Sequence, residues 1–185
     1  MTGKVNSVTY RSYRRGDEVK ICDLFLEGSP HIRTIGYWNW INCLSPYGRS
    51  IIEVAEIDDK IIGHYAVLPI NFYIEGKKIN AGLVSQAIVH PSFRNLENIV
   101  NITNRVWQQC EEQRIEFVYG FPNNKMWDVK KLLMDWKPVA EFKCLEIESK
   151  KITKFSIETS QNIVLERIES FNENFNELWN KCNFT

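Results

Sequence analysis

Ala87-Ile88-Val89-His90-Pro91-Ser92-Phe93-Arg94 is the stretch on which the fold turns. An apolar run ends at Val89 and His90-Pro91 punctuates it. A helix follows, with Ile99, Ile102, Val106, Trp107 and Cys110 on one face. Read backward, the run extends to Lys77, so Lys77 to Val89 is predicted as a strand that grows apolar toward its end. Ser50 to Ile57 and Lys60 to Ile74 are also β-rich. Asp58-Asp59 separates these two, and Glu75-Gly76 turns the chain again before Lys77. Three antiparallel strands in a row make a meander. Pro69 interrupts the second of them. Proline lacks the N–H of a ladder donor, so a bulge or an edge is expected there.

Outward from the meander, the pattern alternates between periods. Val8 to Tyr13 reads as a short strand. Gly16-Asp17 opens a helix with Asp17 as its N-cap, striped by Ile21, Leu24 and Phe25 and stopped by Gly28 and Pro30. Tyr37, Trp38, Ile41 and Leu44 mark a second helix, closed by Ser45-Pro46-Tyr47-Gly48. On the other side, Ile115 to Gly120 is a short buried strand. Asn123 or Asn124 then caps a helix carrying Met126, Val129, Leu132, Leu133 and Trp136, broken by Lys137-Pro138. Val139 to Ile147 reads as a strand, and Ile152 to Ile157 as a possible further one. The predicted class is α/β (α+β): a mixed, mostly antiparallel central sheet with helices on both faces.

The totals narrow the function classes. A chain of 185 residues suits one domain of ordinary size. Its 23 Lys and Arg balance its 23 Asp and Glu, which argues against bulk nucleic-acid binding, since that needs a basic surface. The five cysteines are odd in number and form no CxxC pair, so neither a disulfide framework nor a zinc site is expected. Met1 to Arg15 lacks the apolar core of a signal peptide, and no apolar run nears the roughly 20 residues of a membrane span. The expectation is a cytoplasmic protein without a membrane or nucleic-acid partner.

Three ordered stretches resemble the GNAT superfamily of acetyl-CoA-dependent N-acyltransferases. Ile88 to Arg94 is similar to the end of the family's fourth strand and the start of its cofactor loop, commonly Val-x-Pro-x-aromatic-Arg. Tyr119-Gly120-Phe121-Pro122-Asn123 resembles the fifth strand and the Asn that follows it. Leu133 to Trp136 with Lys137-Pro138-Val139 resembles the close of the next helix. The resemblance covers roughly residues 8 to 148. It implies acetyl-CoA as co-substrate and an amine of a small molecule as acceptor. It also implies that the fourth strand splays from the fifth, and that Ala87, Ile88 and Val89 offer backbone groups to the pantetheine arm. In the same resemblance Arg94, Asn95 and Asn98 belong to the loop that holds the pyrophosphate, and Asn123 touches the arm.

The chain departs from the family at two points. The family's loop carries glycines where Glu97 and Ile99 stand here. Glycine lets a backbone approach phosphate closely, whereas Glu97 reads as a first-turn acid beneath an Asn95 cap. The tyrosine that many members use as proton donor aligns with Lys131, so no catalytic tyrosine carries over. Two residues remain as candidates for the chemistry. Ser85 is polar within an apolar strand, just before the arm-contacting residues, as is its neighbour Gln86, and one of the two is expected to point toward the acceptor. His64 lies within a strand and would serve as a base if it faced the cleft. Glu53 faces either the cleft or solvent by alternation. The rival reading is a GNAT-fold binding or scaffold domain that no longer binds the cofactor.

The domain is expected to span residues 1–160. Beyond it, Ile163 to Ile168 alternates like a strand, and Phe171, Phe175, Leu178, Trp179 and Cys182 stripe a helix. This 161–185 tail reads either as a terminal helix or as the start of a second, truncated GNAT unit. The partner expected beside the acceptor is either a second copy, as a homodimer, or that second GNAT unit.

Overall fold

The computed structural model describes residues 7–30, 32–141 and 167–181. They form two compact units, Met1–Val129 and Lys130–Thr185. The first holds a five-stranded sheet in the order β1-β2-β3-β4-β5. Its strands are β1 (Thr9–Ser12), β2 (Ile51–Ile57), β3 (Lys60–Ile74), β4 (Lys77–Val89) and β5 (Phe117–Tyr119). The first four pair antiparallel and β5 runs parallel to β4. Helices α1 (Asp17–Gly28), α2 (Ile35–Cys43), α3 (Leu96–Glu112) and α4 (Asn124–Leu133) follow in chain order. The mixed class and the meander stand as the sequence predicts them.

Both hairpins turn on two residues with positive φ, Asp58 (49°) with Asp59 (64°) and Glu75 (50°) with Gly76 (73°). That is the tight turn whose twist matches the flanking strands. Pro69 sits opposite Gly82 within a continuous β3, beyond Val67, where pairing with β2 ends. Its missing N–H therefore breaks no ladder on that side. The bulges lie elsewhere. Ile62 is an extra residue on β3 opposite β2, and Ser85 is an extra residue on β4 opposite β3.

Two apolar clusters cover the two faces of the sheet. One joins Ile21, Leu24, Phe25 and Trp38 of α1 and α2 to Ile52, Val54, Ile61 and Ala66. The other joins Ile102, Val106 and Cys110 of α3 to Ile51, Ala55, Ile62, Tyr65 and Val67. Burial pushes the Cys110 thiol up to about 11, so it behaves as a small apolar side chain. Among the described residues Cys22, Cys43 and Cys110 are free thiols, and no cluster of His, Cys, Asp or Glu could hold a metal.

The helix starts are resolved by side-chain detail. Gly16 (φ 105°), not Asp17, is the N-cap of α1. Asp17 is instead buried in the first turn, where its carboxylate accepts from the Arg14 N–H and the Arg11 guanidinium, each at 2.7 Å. Burial alone would raise that carboxyl, but these donors hold it below its ordinary value. Asn95 caps α3 as expected, accepting from the Asn98 N–H at 2.8 Å. Asn123 is the one of the two asparagines that caps α4, accepting from the Met126 N–H at 2.9 Å.

In the second unit, α4 ends where Asp135 takes φ 49° and the Trp136 N–H returns to the Lys130 carbonyl at 3.3 Å. The Lys130 ammonium lies 3.6 Å from the centre of the Trp136 ring, and burial lowers its pKa to about 8. The tail helix α5 spans Glu173–Lys181, with the Phe171 and Phe175 rings 4.8 Å apart across its start. The strand expected over 139–147 begins in described residues 139–141, which are irregular. Its remainder, the one over 152–157 and the 160/161 boundary lie outside the described residues, as does most of the strand over 163–168. No described helix is long and apolar enough to cross a membrane.

Candidate functional site

The site begins with a break in the sheet. β5 pairs with β4 only through Ala81↔Phe117, Gly82↔Val118 and Leu83↔Tyr119. β4 then runs on for six residues, to Val89, still paired with β3 but with no partner from β5. Six residues of strand give an open edge of roughly 20 Å. The cause is local. Ser85, two residues past the last β5 contact, is the extra residue of a bulge, and bulges bend a strand and increase its twist. Gly82 allows the close packing just before the break. A Cβ there would lie 2.5 Å from Val67 Cγ1 and 3.3 Å from the methyls of Ile115 and Val118.

The ladder fixes which groups face the opening. The His90 N–H donates to the Ile62 carbonyl at 2.7 Å, so the peptide groups of His90 and Ile88 turn toward β3. Those of Ala87 and Val89 turn toward the open edge. Of the three residues expected to meet an arm, Ile88 is therefore the exception: its backbone pairs with β3 and its side chain packs on the α1 and α2 cluster.

The loop after β4 is a short 3-10 turn, Pro91–Phe93, followed by Asn95 and α3. Several bonds fasten it. His90 Nδ1 accepts from the Ser92 N–H at 3.2 Å, which leaves Nε2 to donate to Glu27 at 2.8 Å. Asn98 is buried, accepts from the Tyr10 hydroxyl at 2.7 Å and donates to the Phe93 carbonyl at 2.8 Å. Its side chain is thus a brace inside the loop and not a group offered to a ligand. Arg94 donates through Nε to the Val89 carbonyl and through Nη2 to the Gly28 carbonyl, both at 2.9 Å. The N–H groups of Leu96 and Glu97, in the first turn of α3, have no intrahelical acceptor within reach. Glu97 is exposed.

The two candidates for the chemistry are placed apart. Ser85 sits at the bulge, half-buried, 3.4 Å from the Ala66 carbonyl. His64 is 1% exposed and stands between the Phe25 and Trp38 rings at 5.8 and 6.1 Å. Neither ring nitrogen has a partner, and burial lowers its pKa to about 3. The reading of His64 as a base is corrected here: a sealed imidazole that resists a proton cannot collect one from a bound amine. Glu53 reaches neither the cleft nor solvent. It is fully buried under α3, accepting from Arg105 at 2.7 Å and from the Ser12 hydroxyl. Lys131 is exposed on α4 and Asn123 is exposed at its start. Tyr10 carries weight that the sequence reading did not assign, through Asn98. Gln86, weighed beside Ser85 for the acceptor side, is buried and accepts from the Asn42 amide at 3.2 Å.

A family model described as an acetyltransferase (GNAT) domain matches residues 9–126, well over half the chain. The chain belongs to the GNAT family. Solved structures share the fold of this GNAT domain. An acetyltransferase of Trypanosoma brucei superposes with a TM-score of 0.61 at 11% identity, over 76% of this chain and 100% of its own. A predicted acetyltransferase of Clostridium acetobutylicum, solved with acetyl-CoA, gives 0.62 at 16% identity, over 78% and 98%. Glucosamine-6-phosphate N-acetyltransferase of Arabidopsis thaliana gives 0.57 at 16% identity, over 76% and 99%. At these identities the likeness is one of fold. No curated protein matches the chain in sequence.

Proposed function

We propose that this GNAT domain transfers an acetyl group from acetyl-CoA to an amine of a small molecule. One observation carries the reading: the β4 edge left open between Leu83 and Val89, with the peptide groups of Ala87 and Val89 turned outward. An extended thioester arm carries amides that can pair with such an edge as a further strand would. The acyl end of that arm lies beside the Ser85 bulge, and the diphosphate end beside the N-terminus of α3, where the free N–H groups of Leu96 and Glu97 favour an anion. Asn95 shapes that turn by capping it, and Asn123, exposed before α4, stands as a polar contact for the arm.

The chemistry needs few groups. The amine nitrogen attacks the thioester carbonyl, a C–N bond forms, the C–S bond breaks, and the thiolate takes up a proton as the nitrogen loses one. Most of the rate comes from holding amine and thioester together. Ser85 is the side chain proposed to orient the reacting carbonyl: it stands at the bulge in the strand that borders the opening, and its long 3.4 Å bond to the Ala66 carbonyl would be given up for the thioester. The neighbours support the donor: the Clostridium acetobutylicum structure was solved with acetyl-CoA, and the Arabidopsis thaliana enzyme is named for an amino-sugar phosphate.

The test has two parts. Calorimetric titration with acetyl-CoA should give saturable binding, and release of free CoA thiol in the presence of amine acceptors such as glucosamine or small amino acids should exceed hydrolysis. An absence of heat and of thermal shift at millimolar acetyl-CoA would overturn the reading and favour a binding or scaffold role.

A further inference from the structure

We infer that Arg94 is a latch on the donor site: its guanidinium occupies the Val89 carbonyl until the donor arm arrives, and then exchanges to the donor's diphosphate. The inference rests on the acetyl-CoA reading above and adds a step to it. Three observations lead there. Val89 is the last residue of β4, and its peptide group faces the open edge, where an arm would pair. Arg94 Nε already donates to that carbonyl at 2.9 Å. The same guanidinium reaches back across 66 residues to the Gly28 carbonyl at 2.9 Å, which closes the C-terminus of α1.

The latch is poised to move. Arg94 is exposed, and both of its bonds go to neutral carbonyls with no carboxylate among them. A guanidinium gains more from a phosphate than from a carbonyl, because the bond is charge-assisted and can be bidentate. The other loop contacts keep the turn in place during such an exchange. Asn98 is held by Tyr10 and Phe93, and His90 by Ser92 and Glu27. Glu97, exposed in the first turn of α3, repels a diphosphate, so a swung Arg94 would also offset that charge.

The prediction is a change of opposite sign on two donors that differ only in the nucleotide diphosphate. Binding of acetyl-CoA and of S-acetyl-pantetheine is measured by calorimetry for the native chain, Arg94→Met and Arg94→Lys. Arg94→Met frees the Val89 carbonyl and should tighten S-acetyl-pantetheine roughly three- to ten-fold, the value of one modest hydrogen bond. It should weaken acetyl-CoA roughly ten-fold or more through the lost phosphate pair. Arg94→Lys cannot span two carbonyls as a planar fork does, yet keeps the charge. It should tighten S-acetyl-pantetheine while leaving acetyl-CoA within about three-fold, and it serves if Arg94→Met fails to fold. If both donors weaken together, Arg94 is a fixed brace and the latch is wrong while the acetyl-CoA reading stands. If both tighten together, the diphosphate contact is wrong. If the native chain binds neither donor, the acetyl-CoA reading falls and the latch with it.

Discussion

Two regions of this sheet, the part under α3 and the part around α2, treat buried polar groups differently. Under α3, each such group described above has a partner: Glu53 takes Arg105 and Ser12, Asn98 takes Tyr10 and Phe93, and the Thr103 hydroxyl bonds the Ile99 carbonyl at 2.7 Å. Around α2, the reverse holds. Among the described residues, the buried side-chain atoms without a partner are Arg33 Nε, Trp38 Nε1, Asn42 Oδ1, Ser50 Oγ, Gln86 Nε2 and both nitrogens of His64. Arg33 stacks on Phe25 and Tyr37, Ser50 bonds Asn42 through its backbone, and Asn42 bonds Gln86, so these residues gather about one helix. Helix α2 buries Trp38 and the polar Asn42, while Trp40 and the adjoining Leu44 are 64% and 70% exposed. A satisfied network fixes a core, whereas unpaired buried groups lower stability and tend to gather where a protein needs something other than stability. The α3 region thus reads as the scaffold, and the α2 region as the more expendable in stability.

Three measurements test the contrast. The largest effect belongs to the satisfied region. Glu53→Ala should destabilise by about 3 kcal/mol in urea unfolding, since Arg105 and Ser12 lose a fully buried partner. Arg105 is partly exposed and can turn to water, which keeps the figure at the lower end for such pairs. A loss under 1 kcal/mol would mean that the network contributes little.

The second measurement concerns pH. His64 has a pKa of about 3 in the folded chain against 6.5 for an ordinary histidine. The unfolded chain therefore takes up a proton that the native one refuses. The stability tied to this difference is fully present above about pH 6.5 and is lost progressively as pH falls toward 3. The slope reaches at most about 1.4 kcal/mol per pH unit. His64→Phe, similar in shape between Phe25 and Trp38, should flatten the stability profile between pH 6 and 4. An unchanged profile would show that the imidazole is not sealed.

The smallest effect belongs to the unsatisfied region. Replacing both members of the Asn42 and Gln86 pair, as Asn42→Leu with Gln86→Met, should leave stability unchanged or raise it by up to about 1 kcal/mol. Apolar groups of similar size would remove Asn42 Oδ1 and Gln86 Nε2 from the unpaired set. A loss beyond 2 kcal/mol would erase the distinction between the two regions.

Much of this was legible in the chain itself. Alternation, the Asp58-Asp59 and Glu75-Gly76 turns and the apolar stripes placed the meander and the helices, because those signals act within a few residues. The Asn95 and Asn123 caps are local for the same reason, and three short motifs sufficed to point to the GNAT family. Which face each strand residue takes was decided only in three dimensions. The bulges at Ile62 and Ser85 each add one residue, and one residue reverses inside and outside along a strand. Hence alternation could not direct His64. Glu53 lies on β2, which is covered on both faces, so alternation there does not separate a solvent side from a core side. The bond from Arg94 to Gly28 joins positions with no pattern between them, and it exists because the end of β4 and the end of α1 meet when the sheet is covered.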